Sequence, residues 1–168
     1  HRIYENYLSL IPGWSTKSDV QAVLNEPLKP YIPGIEYIDH SSEEYYQTYL
    51  HFKVNKLAPG QKEGSQYLNY KSYNGPLPAY IPKKDVTLSD YLKVENGMSL
   101  QQVNETLGMP GYLSNETSYS ASYNWNNVVV TFTKSYTPTW QPIYSVASKS
   151  LTLYKNPASK NDVKGLEN

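Results

Sequence analysis

The sequence predicts an α+β fold built from two tandem units, each a helix–turn–helix followed by an antiparallel β-meander. An internal repeat, matched helix start and stop signals in both copies, and alternating Tyr-rich runs after each helix pair carry that expectation. Residues 7–27 read YLSLIPGWSTKSDVQAVLNEP and residues 91–110 read YLKVENGMSLQQVNETLGMP. Tyr7, Leu8, Gly13, Val20, Leu24 and Pro27 align with Tyr91, Leu92, Gly97, Val103, Leu107 and Pro110 once a single extra residue is allowed between Gly13 and Val20. The expected organisation is a first repeat over 1–83, ending in a Pro-rich link, a second over 84–156, and a flexible tail over 157–168.

Each copy encodes the same local physics. A short helix over Tyr4–Leu10 or Ser89–Val94 ends at a turn glycine, Gly13 or Gly97. Thr16 with Asp19, and Ser99 with Gln102, have the spacing of a capping box, in which a hydroxyl and a side chain three residues on satisfy orphan N–H groups at a helix start. Val20, Val23 and Leu24, or Val103 and Leu107, then form one apolar stripe. Asn25 and Gly108 fall where a left-handed terminal residue is wanted, and Pro27 and Pro110 cannot continue the helix.

The strands follow from period-two alternation. In copy one, Tyr46, Thr48, Leu50, Phe52 and Val54 should face the core and Tyr45, Gln47, Tyr49, His51 and Lys53 should face outward. A second strand, Tyr67–Tyr73, should turn Leu68 and Tyr70 inward and Tyr67, Asn69, Lys71 and Tyr73 outward. In copy two, Tyr119, Ala121, Tyr123 and Trp125 should point inward, as should Val128, Val130 and Phe132. The last strand, Tyr144–Tyr154, changes parity between Val146 and Leu151 and should contain a bulge.

Composition narrows the function. With 15 Lys+Arg against 15 Asp+Glu, the chain lacks the basic excess that drives phosphate-backbone affinity, and the exposed helix positions Gln21, Gln101, Gln102, Asn104 and Glu105 form no basic row, so no nucleic-acid partner is expected. The absence of Cys removes thiol nucleophiles, disulfides and thiolate metal sites. No G-x-S-x-G, Gly-rich phosphate loop or nucleophile–base arrangement occurs, and His40 with Glu43 and Glu44 reads as a solvated turn. No catalytic residue, metal or other cofactor is therefore expected. The first residue is His, so any targeting segment or membrane anchor is expected upstream of it.

The sequence contains 18 Tyr against 3 Trp and 2 Phe, a ratio that suits half-exposed sheet or a recognition surface. The candidate partner-binding residues are Tyr45, Tyr49, His51, Tyr67 and Tyr73, the outward set of copy one, because tyrosine offers rigid contact area with a hydrogen-bonding tip. The alternative is that these rings cover a two-sided sheet. Trp140, in Tyr136-Thr137-Pro138-Thr139-Trp140-Gln141-Pro142, is the second candidate, as an anchor for a partner or a stacking platform for sugar. Its alternative is to fold back on the core edge; Trp14 and Trp125 are expected in the core.

Gly-Met-Ser-x-x-x-Val-x-x-x-Leu-Gly-x-Pro at 97–110, with the aromatic-x-Trp strand at Tyr123–Trp125, resembles the beta-lactamase-inhibitory-protein-like family and the related small lipoproteins of bacterial outer-membrane assembly. Copy two follows the pattern over 88–154; copy one departs from it, with Trp14 for Met, the inserted residue, and Asn25-Glu26-Pro27 for Gly-x-Pro. The resemblance implies one combined antiparallel sheet with the helices on one face. It also implies a non-catalytic protein-binding module of a secreted or surface-anchored bacterial protein, the alternative being a cell-wall or carbohydrate-binding domain using exposed Tyr and Trp.

Overall fold

The computed structural model of the chain describes residues 3–24, 29–32, 35–40, 49–55, 59–60 and 66–152. Among them the elements run α1 (Ile3–Ser9), α2 (Lys17–Leu24), β1 (Lys29–Ile32), β2 (Ile35–His40), β3 (Tyr49–Asn55), β4 (Leu68–Asn74), α3 (Leu88–Leu92), α4 (Leu100–Leu107), β5 (Tyr112–Thr117), β6 (Ser120–Trp125), β7 (Val128–Tyr136) and β8 (Pro142–Leu151). The fold is α+β with antiparallel strands, as expected. β1, β2 and β5 are strands that the alternation did not single out, and the tail from residue 157 lies outside the described residues.

The chain divides into two compact units, His1–Leu77 with Leu113–Ser118, and Pro78–Tyr112 with Tyr119–Asn168. The division falls at Leu77 and Pro78, six residues before the expected one, and most of β5 belongs to the first unit although it follows the second helix pair in sequence.

In the first unit β1 to β5 pair consecutively and antiparallel. Both halves of the α2 capping box form: the Thr16 N–H donates to Asp19 Oδ2 at 2.9 Å, and the Asp19 N–H to Thr16 Oγ1 at 3.1 Å. The turn between the helices docks on the start of β4, where the Gly13 N–H donates to the Leu68 carbonyl at 2.8 Å and the Leu68 N–H to the Ser15 carbonyl at 2.8 Å.

Directly after Leu68 the ladder slips. Val54 pairs with Leu68 and Lys53 with Tyr70, so Asn69 is a bulged residue without an opposite number. That slip reverses the facing of everything after it, placing Lys71 and Tyr73 inside with Leu68. The expectation of an outward Lys71 and Tyr73 is thereby corrected. Tyr73 is 3 % exposed; its ring packs edge-on to Tyr4 at 5.2 Å and against Tyr7 at 5.2 Å, and its hydroxyl donates to the Pro76 carbonyl. Tyr70, expected in the core, is only partly buried.

Burying Lys71 requires partners for its charge. Its Nζ donates to the Tyr7 carbonyl at 2.7 Å, lies 4.3 Å from the Tyr7 ring centroid, and is 3.6 Å from Glu116 Oε1 on β5. β5 is further held where the Leu113 N–H donates to the Tyr4 hydroxyl at 2.8 Å.

The second unit is held by contacts of similar kind. The Ser99/Gln102 capping box is complete at 3.1 and 2.8 Å, and α4 ends at Gly108 with φ 76°, the left-handed stop that the sequence called for. The turn between α3 and α4 docks on β8: the Gly97 N–H donates to the Val146 carbonyl and the Val146 N–H to the Met98 carbonyl, each at 2.9 Å. Thr131 pairs with Ser148 and Phe132 with Val146, so Ala147 is bulged directly after the residue that receives the turn, inside the interval expected. Lys149 Nζ donates to the Tyr91 and Val94 carbonyls at 2.9 and 2.8 Å and sits 4.4 Å from the Tyr91 ring centroid, tying the end of α3 to the strand.

The core of this unit gathers Val103 and Leu107 of α4 with Trp125, Val128, Val130, Phe132 and Val146. The inward assignments of Ala121, Trp125, Val128, Val130 and Phe132 hold. Tyr119 is corrected: it lies one residue before β6, where strand parity no longer governs it, and is 81 % exposed. The segment leading into α3 is pinned by Asn127, whose Oδ1 accepts from the Val86 N–H at 2.7 Å while its Nδ2 donates to the Val86 carbonyl at 3.0 Å.

Candidate interaction surface

The hairpin between β7 and β8 is built outward from the core as a series of rings. Phe132 meets Tyr144 edge-on at 6.2 Å, and Tyr123 meets both Phe132 and Tyr144 edge-on at 5.7 and 6.1 Å, an arrangement favoured by the aromatic quadrupole. Further out, Tyr136 pairs with Pro142 across the ladder, and its ring stands 6.1 Å from that of Trp140.

At the tip, the Trp140 N–H donates to the Thr137 carbonyl at 2.9 Å, closing a turn with Pro138 in its second position. The Thr137 N–H donates to the Gln141 carbonyl at 2.9 Å, the Gln141 N–H donates to Thr137 Oγ1 at 3.0 Å, and the Thr137 and Thr139 hydroxyls meet at 3.1 Å. Trp140 takes φ 63° and is 64 % exposed, so the reading in which it folds back to close the core edge is set aside. Hairpins of this kind use a left-handed residue after the turn, and glycine or asparagine is its usual occupant. A bulky side chain there costs roughly 1–2 kcal/mol.

Of the copy-one candidates, Tyr67 is exposed, at 42 %, with its backbone bridged to Thr16. Tyr73 is in the core, as described above. The backbone of β3 places Tyr49 opposite Asn74 and His51 opposite Ser72. Tyr45 lies outside the described residues. The bulge at Asn69 therefore breaks the predicted set, leaving Tyr67 and Tyr73 on opposite sides of the burial boundary.

Sequence reasoning also missed an exposed group in the first unit. Trp14, expected in the core, is 49 % exposed; the Trp14 and Ser15 amides both donate to the Ile11 carbonyl, at 3.0 and 2.8 Å, and Ile11 and Leu8 are exposed beside it in sequence. Position 14 belongs to a turn held by backbone bonds, so its side chain need not be buried for the turn to form. The available signal was its place between a turn glycine and a helix cap, off any apolar stripe.

Among the described residues no grouping of three His, Asp or Glu side chains could hold a metal ion, and no helix is long and apolar enough to cross a membrane. No protein-family model matches the chain, and comparison with curated proteins finds no match.

Proposed function

We propose that this chain is a non-catalytic protein-binding module of a secreted or surface-anchored bacterial protein, built by tandem duplication of a helix-pair-plus-meander unit similar to the beta-lactamase-inhibitory-protein-like family. The duplication is supported by more than the aligned helices. Gly13 docks on Leu68 and Gly97 on Val146; each receiving residue is followed by a bulge, Asn69 or Ala147; and the lysine two residues beyond each bulge lies over the aligned tyrosine, Tyr7 or Tyr91.

The observation that carries the binding function is Trp140, a large exposed side chain in a backbone conformation that glycine would occupy without strain. The contact with the Tyr136 ring, about 0.5–1.5 kcal/mol for an aromatic pair, does no more than offset that backbone cost, whereas a rigid aromatic anchor is what binding hot spots commonly use. The choice of protein over sugar rests on the tip's polar groups. A stacking platform for sugar needs hydrogen-bonding neighbours, but the Thr137 amide and hydroxyl, the Thr139 hydroxyl and the Trp140 and Gln141 amides already bond within the tip. Around Trp140 the hairpin also exposes Pro138, Pro142 and Ile143, apolar area that suits a protein partner.

The test compares wild type with Trp140→Gly in pull-downs from bacterial envelope protein and from purified peptidoglycan. The variant should unfold at the same temperature as wild type or slightly higher, and should lose a protein captured by wild type. Undiminished protein capture by Trp140→Gly would refute the assignment, and capture of peptidoglycan alone would replace it with the sugar-binding reading.

A further inference from the structure

The sequence contains two Asn-Gly dipeptides, Asn74-Gly75 and Asn96-Gly97, and the fold holds them differently. Asn-Gly is chemically reactive because glycine has no Cβ to obstruct its own backbone nitrogen. That nitrogen can attack the asparagine Cγ, forming a new C–N bond and expelling ammonia from the side-chain amide, the amide proton leaving with it. Water then opens the resulting five-membered imide at either carbonyl, giving aspartate or isoaspartate.

At Asn96-Gly97 the attacking nitrogen is engaged. The Gly97 N–H donates to the Val146 carbonyl at 2.9 Å, the Val146 N–H donates back to the Met98 carbonyl at 2.9 Å, and the Met98 N–H donates to the Glu95 carbonyl at 3.2 Å. The turn is thus bonded to β8 on one side and closed on itself on the other. Reaction there needs this clamp to open first.

Among the described residues Asn74-Gly75 has no such clamp. Asn74 is exposed as the last residue of β4, opposite Tyr49, and Gly75 follows as a bend outside the strand. Among the described residues the Gly75 amide makes no backbone hydrogen bond. We propose that Asn74 is a site of spontaneous modification through a cyclic imide, with water as the second reactant, and that β8 protects Asn96 from the same chemistry. The product adds a negative charge to a chain whose formal net charge is zero. In the isoaspartyl form it also lengthens the main chain inside the loop that the Tyr73 hydroxyl closes on the Pro76 carbonyl.

The experiment is peptide mapping by mass spectrometry of the folded protein aged in mildly alkaline buffer, with a parallel sample in urea. Breaking one or two backbone hydrogen bonds corresponds to about a 5–30-fold slowing, so Asn74 should convert faster than Asn96 by that factor when folded, and the two rates should converge in urea. Gly75→Ala should slow conversion at Asn74 and leave Asn96 unchanged. Equal folded-state rates, a faster Asn96, or no conversion at Asn74 would each overturn the proposal.

Discussion

Gly111→Ala gives the sharpest test of how the second unit is packed. A Cβ at position 111 would stand 2.5, 2.7 and 2.9 Å from Cε2, Cδ2 and Cζ2 of the Trp125 indole. Position 111 is not in the left-handed region, so the penalty is steric. The indole cannot retreat cheaply: Trp125 is fully buried, and its Nε1–H is shared between the Met109 carbonyl at 2.9 Å and Asn104 Oδ1 at 3.2 Å. The Gly111 N–H also donates to Asn104 Oδ1, at 3.2 Å, so moving the backbone instead would stretch the same junction.

Overpacking a well-filled core costs about 1–3 kcal/mol, and three simultaneous clashes against a tethered ring place this case at about 3 kcal/mol. For a chain of this size that corresponds to a fall in melting temperature of about 6–12 °C, readable by circular dichroism. Trp125→Phe supplies the internal control, because phenylalanine lacks the fused ring system that meets the new methyl. In that background the cost of Gly111→Ala should shrink by about 1–2 kcal/mol. A fall below about 2 °C in the single variant, or strict additivity in the pair, would refute the packing argument.

The two lysine latches should differ in weight. Lys71→Met leaves Glu116 buried without its cation and should cost about 3–5 kcal/mol, most of it recovered when Glu116→Gln is added. Lys149→Met removes bonds from a half-buried amine to two carbonyls and should cost about 1–2 kcal/mol; urea unfolding that finds the two single variants equal would contradict the burial difference. Burial pushes the Tyr112 phenol above its ordinary 10.0. Because the folded-state value is raised, its contribution is fully present below about pH 10 and is lost as pH rises through the folded-state pKa, so Tyr112→Phe should flatten part of the alkaline decline in melting temperature. An identical decline in both proteins would show that Tyr112 does not contribute.

What could be read in the sequence was whatever depends on neighbours along the chain. The capping boxes at Thr16 and Ser99, the turn glycines and the left-handed Gly108 are local events, fixed by a few adjacent residues. The copy-two strand faces were legible because Val128, Val130 and Phe132 alternate without interruption. The partner-binding set was not, because strand parity carries only as far as the next bulge. At Ala147 the sequence itself changed phase and announced the slip, whereas from Gln66 to Asn74 the single aliphatic residue is Leu68 and all others are polar or tyrosine, so nothing after Asn69 marks a change of phase. The alternation therefore puts Tyr73 on the wrong side, and Trp14 is exposed because its place in a turn, not its size, decides its burial.

The latches show why one recurring feature stayed invisible while another did not. Tyr7 and Tyr91 align in sequence, each in the first helix of its pair, but Lys71 lies 64 residues beyond Tyr7 and Lys149 only 58 beyond Tyr91. Strand connections of unequal length lie between, so no fixed spacing links the two pairs, although the amine approaches the aligned ring to 4.3 Å in one and 4.4 Å in the other. What recurs is a geometric consequence of the turn: once Gly13 or Gly97 fixes the helix pair on its strand, a bulge at the next residue turns the lysine two positions further on back toward the helix. The tyrosines then divide by structural duty. Tyr7 and Tyr91 receive the latches and Tyr4 and Tyr73 fill the first core, while Tyr67, Tyr119 and the Tyr136 that supports Trp140 are left where a partner could meet them.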